Sequence, residues 1–188
     1  MDLLRELAVY RPWNEQEERD CAELLRRLHS GEELYSRDNA AAHLTVSAWV
    51  VSPDRSQVLM AYHKLYDSWA WLGGHADGDR DLLAVALREV REESGLTDVR
   101  PVSEQIYSLE ILSVDGHEKW GRYVSSHLHL NVTYLLEADP AAPICPKLDE
   151  NSRVGWFSPE DAVAASSEPW FRERIYKKLN EKLAQFGG

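Results

Sequence analysis

Residues Gly73 to Leu96 read GGHADGDRDLLAVALREVREESGL and constrain the chain more than any other stretch. A glycine-rich segment passes directly into a run of helix formers, and from the loop edge onward it carries Asp79, Asp81, Glu89, Glu92 and Glu93. Asp81 stands where the helix should open, and a negative charge suits the positive end of the helix dipole there. Wound at about 100° per residue, Leu83, Ala86, Leu87 and Val90 form an apolar stripe suited to packing on a sheet. Glu89, Glu92 and Glu93 fall together on a neighbouring face, within one turn of each other. Like charges at these spacings repel by roughly a few tenths of a kcal/mol per pair. A bound cation is the simplest offset. Arg88 adjoins the cluster and can hold one carboxylate in place, and Gly95 stops the helix as a glycine C-cap would.

Ligation by carboxylates, with no Cys or His in the helical run, suits hard octahedral cations, Mg²⁺ or Mn²⁺. Such ions bridge phosphoryl oxygens, neutralise their charge and help make hydroxide from bound water. The residues therefore point to metal-assisted phosphoryl chemistry. A solvated acidic helix face accounts for the same run of Glu, and the carboxylates alone do not separate the two.

Gly74, Arg88, Glu89, Val90, Glu92, Glu93, Gly95 and Leu96 together resemble the Nudix box of the Nudix hydrolase family. A chance match at these eight positions is on the order of 10⁻⁸ per window at average residue frequencies. One position departs: the first Glu of the family's box is Arg80 here, flanked by Asp79 and Asp81. The resemblance implies hydrolysis of a nucleoside diphosphate linked to another group, by water attack on phosphorus. It makes Glu92 and Glu93 the principal metal ligands and Glu89 a further ligand or the base that takes the water's proton. Arg88 would orient Glu89, and the Gly73 carbonyl would add an oxygen ligand. The expected catalytic set is thus Glu89, Arg88 and Glu92, with Gly73, Glu89, Glu92 and Glu93 holding Mg²⁺ or Mn²⁺. Arg80 leaves the three main carboxylates intact but bears on the support of the loop and on any additional metal.

The length of 188 residues suits one domain with terminal additions. A net charge of −11 provides no basic footprint, which argues against nucleic acid polymers and anionic membranes as partners. The two cysteines, Cys21 and Cys145, form no metal spacing. The charged start MDLLRELAVYRPW does not read as a secretory signal, and no apolar run approaches the roughly 18 residues of a membrane span. A cytoplasmic protein is expected.

Residues 1–13 suggest a short helix ending near Pro12. Asn14 followed by Glu17 resembles a capping box opening a helix that Gly31 closes, with Cys21, Leu24, Leu25 and Leu28 on one face. Its Glu15, Glu17, Glu18 and Glu23 read as a solvated face, and residues 32–42 as a linker. Strands are expected over His43–Ser52, Gln57–His63, within Val99–Val114, and over His127–Ala138 and Ser152–Phe157. Residues 115–126 read as a polar loop. Ser158 and Pro159 open a short helix, and a last helix over 169–186 carries Phe171, Ile175, Leu179, Leu183 and Phe186 on one face. The order of elements indicates an α/β protein, an α/β/α sandwich around a mixed β-sheet with extra N- and C-terminal helices. That is also the Nudix fold. The expected division is an N-terminal helical extension over 1–39, a Nudix-like domain over 40–165 and a C-terminal helix over 166–188 packed on it. A homodimer would suit the extra helices.

Near the glycine loop, His63, Lys64, Trp71 and His75 are the candidate substrate contacts. Trp69 and Trp71 share a strand face, where an aromatic could stack on a base for about 1–3 kcal/mol; core packing is the competing role. His127 and His129 share a face and, with His43, would make a zinc-type set, but no spacing brings His43 to them. Asp115, Glu118, Asp149 and Glu150 are candidates for a further ligand or base from a later loop. The reading is a pyrophosphohydrolase of a small nucleotide-like diphosphate. The alternative is a binding module that recognises a nucleotide without cleaving it. A third branch of the fold, the isomerase acting on isopentenyl diphosphate, needs a catalytic Cys, and Cys21 and Cys145 lie outside the matching regions.

Overall fold

In a computed structural model the structure describes residues 3–119, 121–149 and 151–185, without the Lys119 side chain. The elements run α1 (Leu3–Val9), α2 (Glu15–Ser30), β1 (Ala42–Val51), β2 (Val58–His63), β3 (Ser68–Ala70), β4 (Leu72–His75), α3 (Leu82–Ser94), β5 (Val99–Pro101) and β6 (Ser108–Val114). Then follow β7 (His117–Lys119), β8 (Arg122–Val124), β9 (His127–Ala138), β10 (Asn151–Phe157), α4 (Pro159–Ala165), a π-helical turn over Phe171–Tyr176 and α5 (Lys177–Gln185). The main sheet has the order β10-β2-β1-β9-β5, with β3 on β2, β4 on β1 and β6 on β9; β7 and β8 pair separately. Among the described residues no helix is long and apolar enough to cross a membrane.

Two compact units are distinguishable: residues through Ser47 with Gly74–Val85 and Glu104–Tyr134, and Ala48–Gly73 with Ala86–Ser103 and Leu135 onward. In the first, Asn14 caps α2 as expected, its Oδ1 accepting from the Glu17 N–H at 3.0 Å, and Gly31 ends the helix at φ +80°. The acidic face of α2 is not all solvated. Glu17 is fully buried and accepts from the Tyr10 hydroxyl, from the Trp13 N–H at 2.8 Å and from the Ser108 hydroxyl at 2.8 Å. Helix α2 lies on β6, where Asp20 accepts from the Ile111 N–H at 3.0 Å. The segment expected as a linker is packed as well. Leu34 and Tyr35 are buried, the Leu34 carbonyl accepts from Leu44 N–H at 2.7 Å, and the Tyr35 carbonyl accepts from Gly78 N–H at 2.8 Å. Residues 115–126 hold the β7–β8 hairpin rather than an unstructured loop.

In the second unit β10 pairs antiparallel with β2, and a register shift between Asn151 and Arg153 sets Asn151 opposite His63. Such bulges re-aim a side chain. Trp69 packs on Tyr62 and Phe157, with the Arg153 guanidinium over the Tyr62 and Trp69 rings. Trp71 instead meets Phe171 and Tyr176, so the two tryptophans serve different neighbours. The expected regular last helix opens as a π-helical turn, which brings Phe171 and Tyr176 to one side and buries Tyr176 against Trp49. Ile175, Leu179 and Leu183 are buried as expected, while Phe186 lies outside the described residues.

Two stability predictions follow from these local arrangements. Glu17→Ala removes a fully buried carboxylate that accepts from the Tyr10 hydroxyl, the Trp13 N–H and the Ser108 hydroxyl, and should cost on the order of 2 kcal/mol in urea unfolding. A loss within about 0.5 kcal/mol, typical of a solvent-facing residue, would contradict the network. Gly95 has φ +73° and a Cβ there would meet Cys145 at 3.2 Å, whereas Gly31 has φ +80° and open space. Gly95→Ala should therefore destabilise more than Gly31→Ala, which carries only the backbone cost of about 1 kcal/mol; equal losses in parallel melts would refute the close approach.

Candidate active site

Helix α3 is held at both ends by the residues its sequence supplies. Asp81 Oδ1 accepts from the Ala84 N–H at 3.1 Å, and Asp79 Oδ1 accepts from Asp81 N–H at 3.0 Å. At the other end Gly95 takes the left-handed conformation and its N–H donates to the Arg91 carbonyl at 2.9 Å. The buried face comprises Leu82, Val85, Ala86 and Val90, while Leu83 and Leu87 are only half-buried. This rotation from the expected stripe brings Glu93 onto the buried side.

Glu93 is 5 % exposed, and each of its carboxylate oxygens is engaged. Oε2 accepts from the Gly73 N–H at 2.8 Å and Oε1 from Asn151 Nδ2 at 2.9 Å. Charge-assisted bonds of this kind are what make a buried carboxylate tolerable. Glu92 is exposed and lies 3.6 Å from the Lys147 ammonium. Glu89 is half-buried, with Arg88 Nε at 3.8 Å from its Oε1. The three carboxylates thus lie along a little over one turn of α3, each drawn to a different partner.

The segment after residue 144 closes over the C-terminal end of α3. The Ser94 carbonyl accepts from Cys145 N–H at 2.7 Å, the Glu93 carbonyl from Lys147 N–H at 3.3 Å, and the Lys147 carbonyl from Asn151 N–H at 2.8 Å. The first two bonds take up helix-end carbonyls of α3 that have no intrahelical donor. Lys64 donates to the Leu148 carbonyl of the same segment, and His63 accepts from Leu65 N–H at 3.3 Å beside the Tyr66 ring. The backbone N–H of Trp71 donates to the Tyr176 hydroxyl at 3.2 Å.

Asn151 is the residue that sequence reasoning missed. It is fully buried, and its Oδ1 has no hydrogen-bond partner although its amide nitrogen is bound to Glu93. Of the neighbouring candidates, Asp149 is exposed, and Glu150 lies outside the described residues. Asp115 and Glu118 are exposed at the β7–β8 hairpin. An amide at a strand start carries no periodic signal, so only the bulge in β10 reveals it.

Arg80 lies in the first unit, exposed, 3.8 Å from Glu33 and with its guanidinium 4.6 Å from the Tyr35 ring centre. His75 is also in that unit, at the end of strand β4 rather than inside a loop. There it meets His43 and His129, with ring centres 5.2 and 5.0 Å away. His43 does stand beside His127 and His129, which the spacing had not indicated. Burial, then the neighbouring imidazoles, lowers the His129 pKa to about 3, and burial also lowers that of His43.

The family model of the NUDIX domain matches residues 41–179. No curated protein matches the chain. Among solved structures, an Ap4A hydrolase of C. elegans in a binary complex is 16% identical, with TM-score 0.51 over 76% of this chain and 98% of that one. The E. coli dihydroneopterin triphosphate pyrophosphohydrolase is 15% identical, with TM-score 0.54 over 78% and 97%. A NUDIX-family hydrolase from Clostridium perfringens is 22% identical, with TM-score 0.50 over 74% and 97%. At these identities the likeness is one of fold, the α/β/α arrangement around a mixed sheet. The family match, covering most of the length and the whole of the acidic helix, carries more: the chain belongs to the Nudix family, and with it to the pyrophosphohydrolases.

Proposed function

We propose that this chain hydrolyses a diphosphate linkage in a small nucleotide-like substrate, a nucleoside diphosphate joined to another group, using Mg²⁺ or Mn²⁺. The observation that carries the reading is the buried Glu93 carboxylate, fixed by Gly73 and Asn151 at the end of a helix that also presents Glu89 and Glu92. A carboxylate oxygen has lone pairs beyond the one each donor uses, so Glu93 can still ligate. The set is oxygen-only, and the buried, unpartnered Asn151 Oδ1 adds a further oxygen acceptor next to it. That chemistry fits a hard divalent cation.

Glu92 and Glu93, with the Gly73 carbonyl and Glu89, would hold such an ion. When bound, it supplies charge neutralisation at the phosphate oxygens and a more acidic water. Glu89 takes the proton from the attacking water at its carboxylate, and Arg88, with its Nε 3.8 Å from Glu89 Oε1, orients that carboxylate. Asn151 is a positioning residue that fixes the Glu93 carboxylate from the other side. Lys147, within the segment 145–149, and Lys64, bonded to its Leu148 carbonyl, bring positive charge to a molecule of net charge −11. His63 lies across the β10–β2 ladder from Asn151 and is the nearest candidate on that side for a substrate contact. Trp71 is engaged by Phe171 and Tyr176, so its contribution to the substrate is an edge at most.

The test is a steady-state assay over nucleoside triphosphates, dinucleoside polyphosphates, nucleotide sugars and pterin triphosphates, with and without chelator. Turnover should require Mg²⁺ or Mn²⁺. Glu89→Gln should lower kcat by about 10²–10⁴-fold. Glu93→Gln should abolish metal-dependent turnover. Asn151→Ala should weaken metal affinity or activity by about 10–100-fold, with part of the loss recovered at high Mg²⁺. Tight nucleotide binding by the native chain, with no turnover of any substrate in the presence of Mg²⁺ or Mn²⁺, would overturn the hydrolytic reading in favour of a binding module.

A further inference from the structure

His43, His75 and His129 stand on three neighbouring strands, β1, β4 and β9, with β1 between the other two. Their ring centres form a nearly equilateral triangle with sides of 5.2, 5.1 and 5.0 Å. One ligand nitrogen of each lies within 4.8 Å of those of the other two. Among the described residues this is the group of three or more His, Cys, Asp or Glu side chains that meets such a separation.

The hydrogen bonding decides what the cluster can take. His43 Nδ1 lies 3.0 Å from the Asn39 carbonyl. A carbonyl only accepts, so the proton is on Nδ1 and the neutral ring presents a lone pair at Nε2. That Nε2 is buried and has no hydrogen-bond partner, on a residue only 5 % exposed. Leaving such an acceptor unsatisfied costs about 1–3 kcal/mol. His127 repeats the pattern, with Nδ1 at 2.8 Å from the Ser125 carbonyl and Nε2 at 3.2 Å from His129 Nε2. Imidazoles whose second nitrogen is tied to a backbone carbonyl are the usual form of metal-bound histidine. Burial favours the neutral rings that ligation requires. An anion does not fit: His43 Nε2 offers it a lone pair, not a proton. The nearby Asp77 carboxylate is committed to a two-point pair with Arg37 and adds negative charge without occupying the cluster.

We propose that His43, His75 and His129 form a binding site for a divalent ion of the zinc class, separate in its donors from the carboxylates of α3. Three imidazoles with a fourth position open suit Zn²⁺, which Mg²⁺ would not imitate because it favours oxygen. Bonds of about 2.0–2.1 Å bring the nitrogens of a tetrahedral site to roughly 3.4 Å apart, so ring rotations close the cluster. His127 lies beside the cluster, its Nε2 3.2 Å from His129 Nε2. The ion would pin β4, β1 and β9 together, giving His75 a role other than contact with a phosphate.

The experiment uses the full chain, stripped with chelator and titrated with Co²⁺ as a spectroscopic probe, then with Zn²⁺ as competitor. Beside the native chain stand Glu93→Gln, His75→Gln and His129→Gln, each checked for native circular dichroism. One equivalent of Co²⁺ should give the intense visible absorption of a tetrahedral site in the native chain and in Glu93→Gln, and Zn²⁺ should bleach it. Zn²⁺ should also raise the Tm of both. A natively folded His75→Gln or His129→Gln chain should lose the band and the Tm shift. His75 and His129 are both half-buried, and either variant that folds keeps the test open. Absence of the band in the native chain, its survival in folded His75→Gln, or its loss in Glu93→Gln would each overturn the proposal.

Discussion

One carboxylate joins three pieces of chain that are far apart in sequence. Glu93 on α3 receives the backbone N–H of Gly73 from β4 and the side-chain amide of Asn151 from the start of β10. The arrangement is demanding because a buried charge is tolerated only while its oxygens are hydrogen-bonded. Removing one donor leaves a carboxylate oxygen without its bond, at a cost of roughly 1–3 kcal/mol. The surrounding bonds follow from the same anchoring. With Asn151 fixed, its N–H reaches the Lys147 carbonyl, and the segment from Cys145 to Lys147 lies on the last carbonyls of α3. Gly95 permits this approach because it has no Cβ to meet Cys145. Lys147 then stands at the negative end of the helix, where its charge is favourable.

Burial of polar groups recurs in the first unit as a connected network. Asn131 Oδ1 accepts from the hydroxyls of Thr45 and Ser47 at 3.0 and 2.9 Å, and its amide donates to Glu110 and Thr133. Ser108 joins Glu110 to Glu17 on α2. Every member is engaged, so the network is consistent with a tight interface rather than a defect. It also specifies register. A slip of one residue in β6 or β9 would turn these groups to the other face and take the Ser108 hydroxyl away from Glu17.

The acidic helix was legible in the sequence because its signals are local. Asp81 as cap, Gly95 as stop and the spacing of Glu89, Glu92 and Glu93 all act within a few residues. Strands β1, β2 and β9 were legible for the same reason, as were the Asn14 and Ser158 caps. What escaped depends on pairing across the sheet. Glu17 looks like its neighbours Glu15 and Glu18 until Ser108 and Tyr10 are set against it. His43 and His129 are 86 positions apart, and only the adjacency of β1 and β9 joins them. Tyr176 falls off the helical stripe because the helix widens to a π turn at that point. In each case the deciding contact is non-local, and periodicity carries no information about it.

Arg80 shows how a departure from a motif can be absorbed locally. The family's box has Glu at this position, and its loss raises the question of what supports the loop before α3. That loop has two successive left-handed residues, Asp77 at φ 49° and Gly78 at φ 89°, and needs external ties. The segment 33–37 supplies them: Arg37 holds the Asp77 carboxylate, and the Tyr35 carbonyl holds Gly78 N–H. Asp79 N–H donates to the Ala76 carbonyl at 2.9 Å, and Asp81 caps the helix. Arg80 itself lies over Tyr35 and toward Glu33, so its charge is spent on the same segment. At 73% exposure that ion pair is worth little; the backbone bonds carry the loop. Glycine loop and former linker thus stabilise one another, and the side chain at position 80 need not be acidic for the loop to keep its shape.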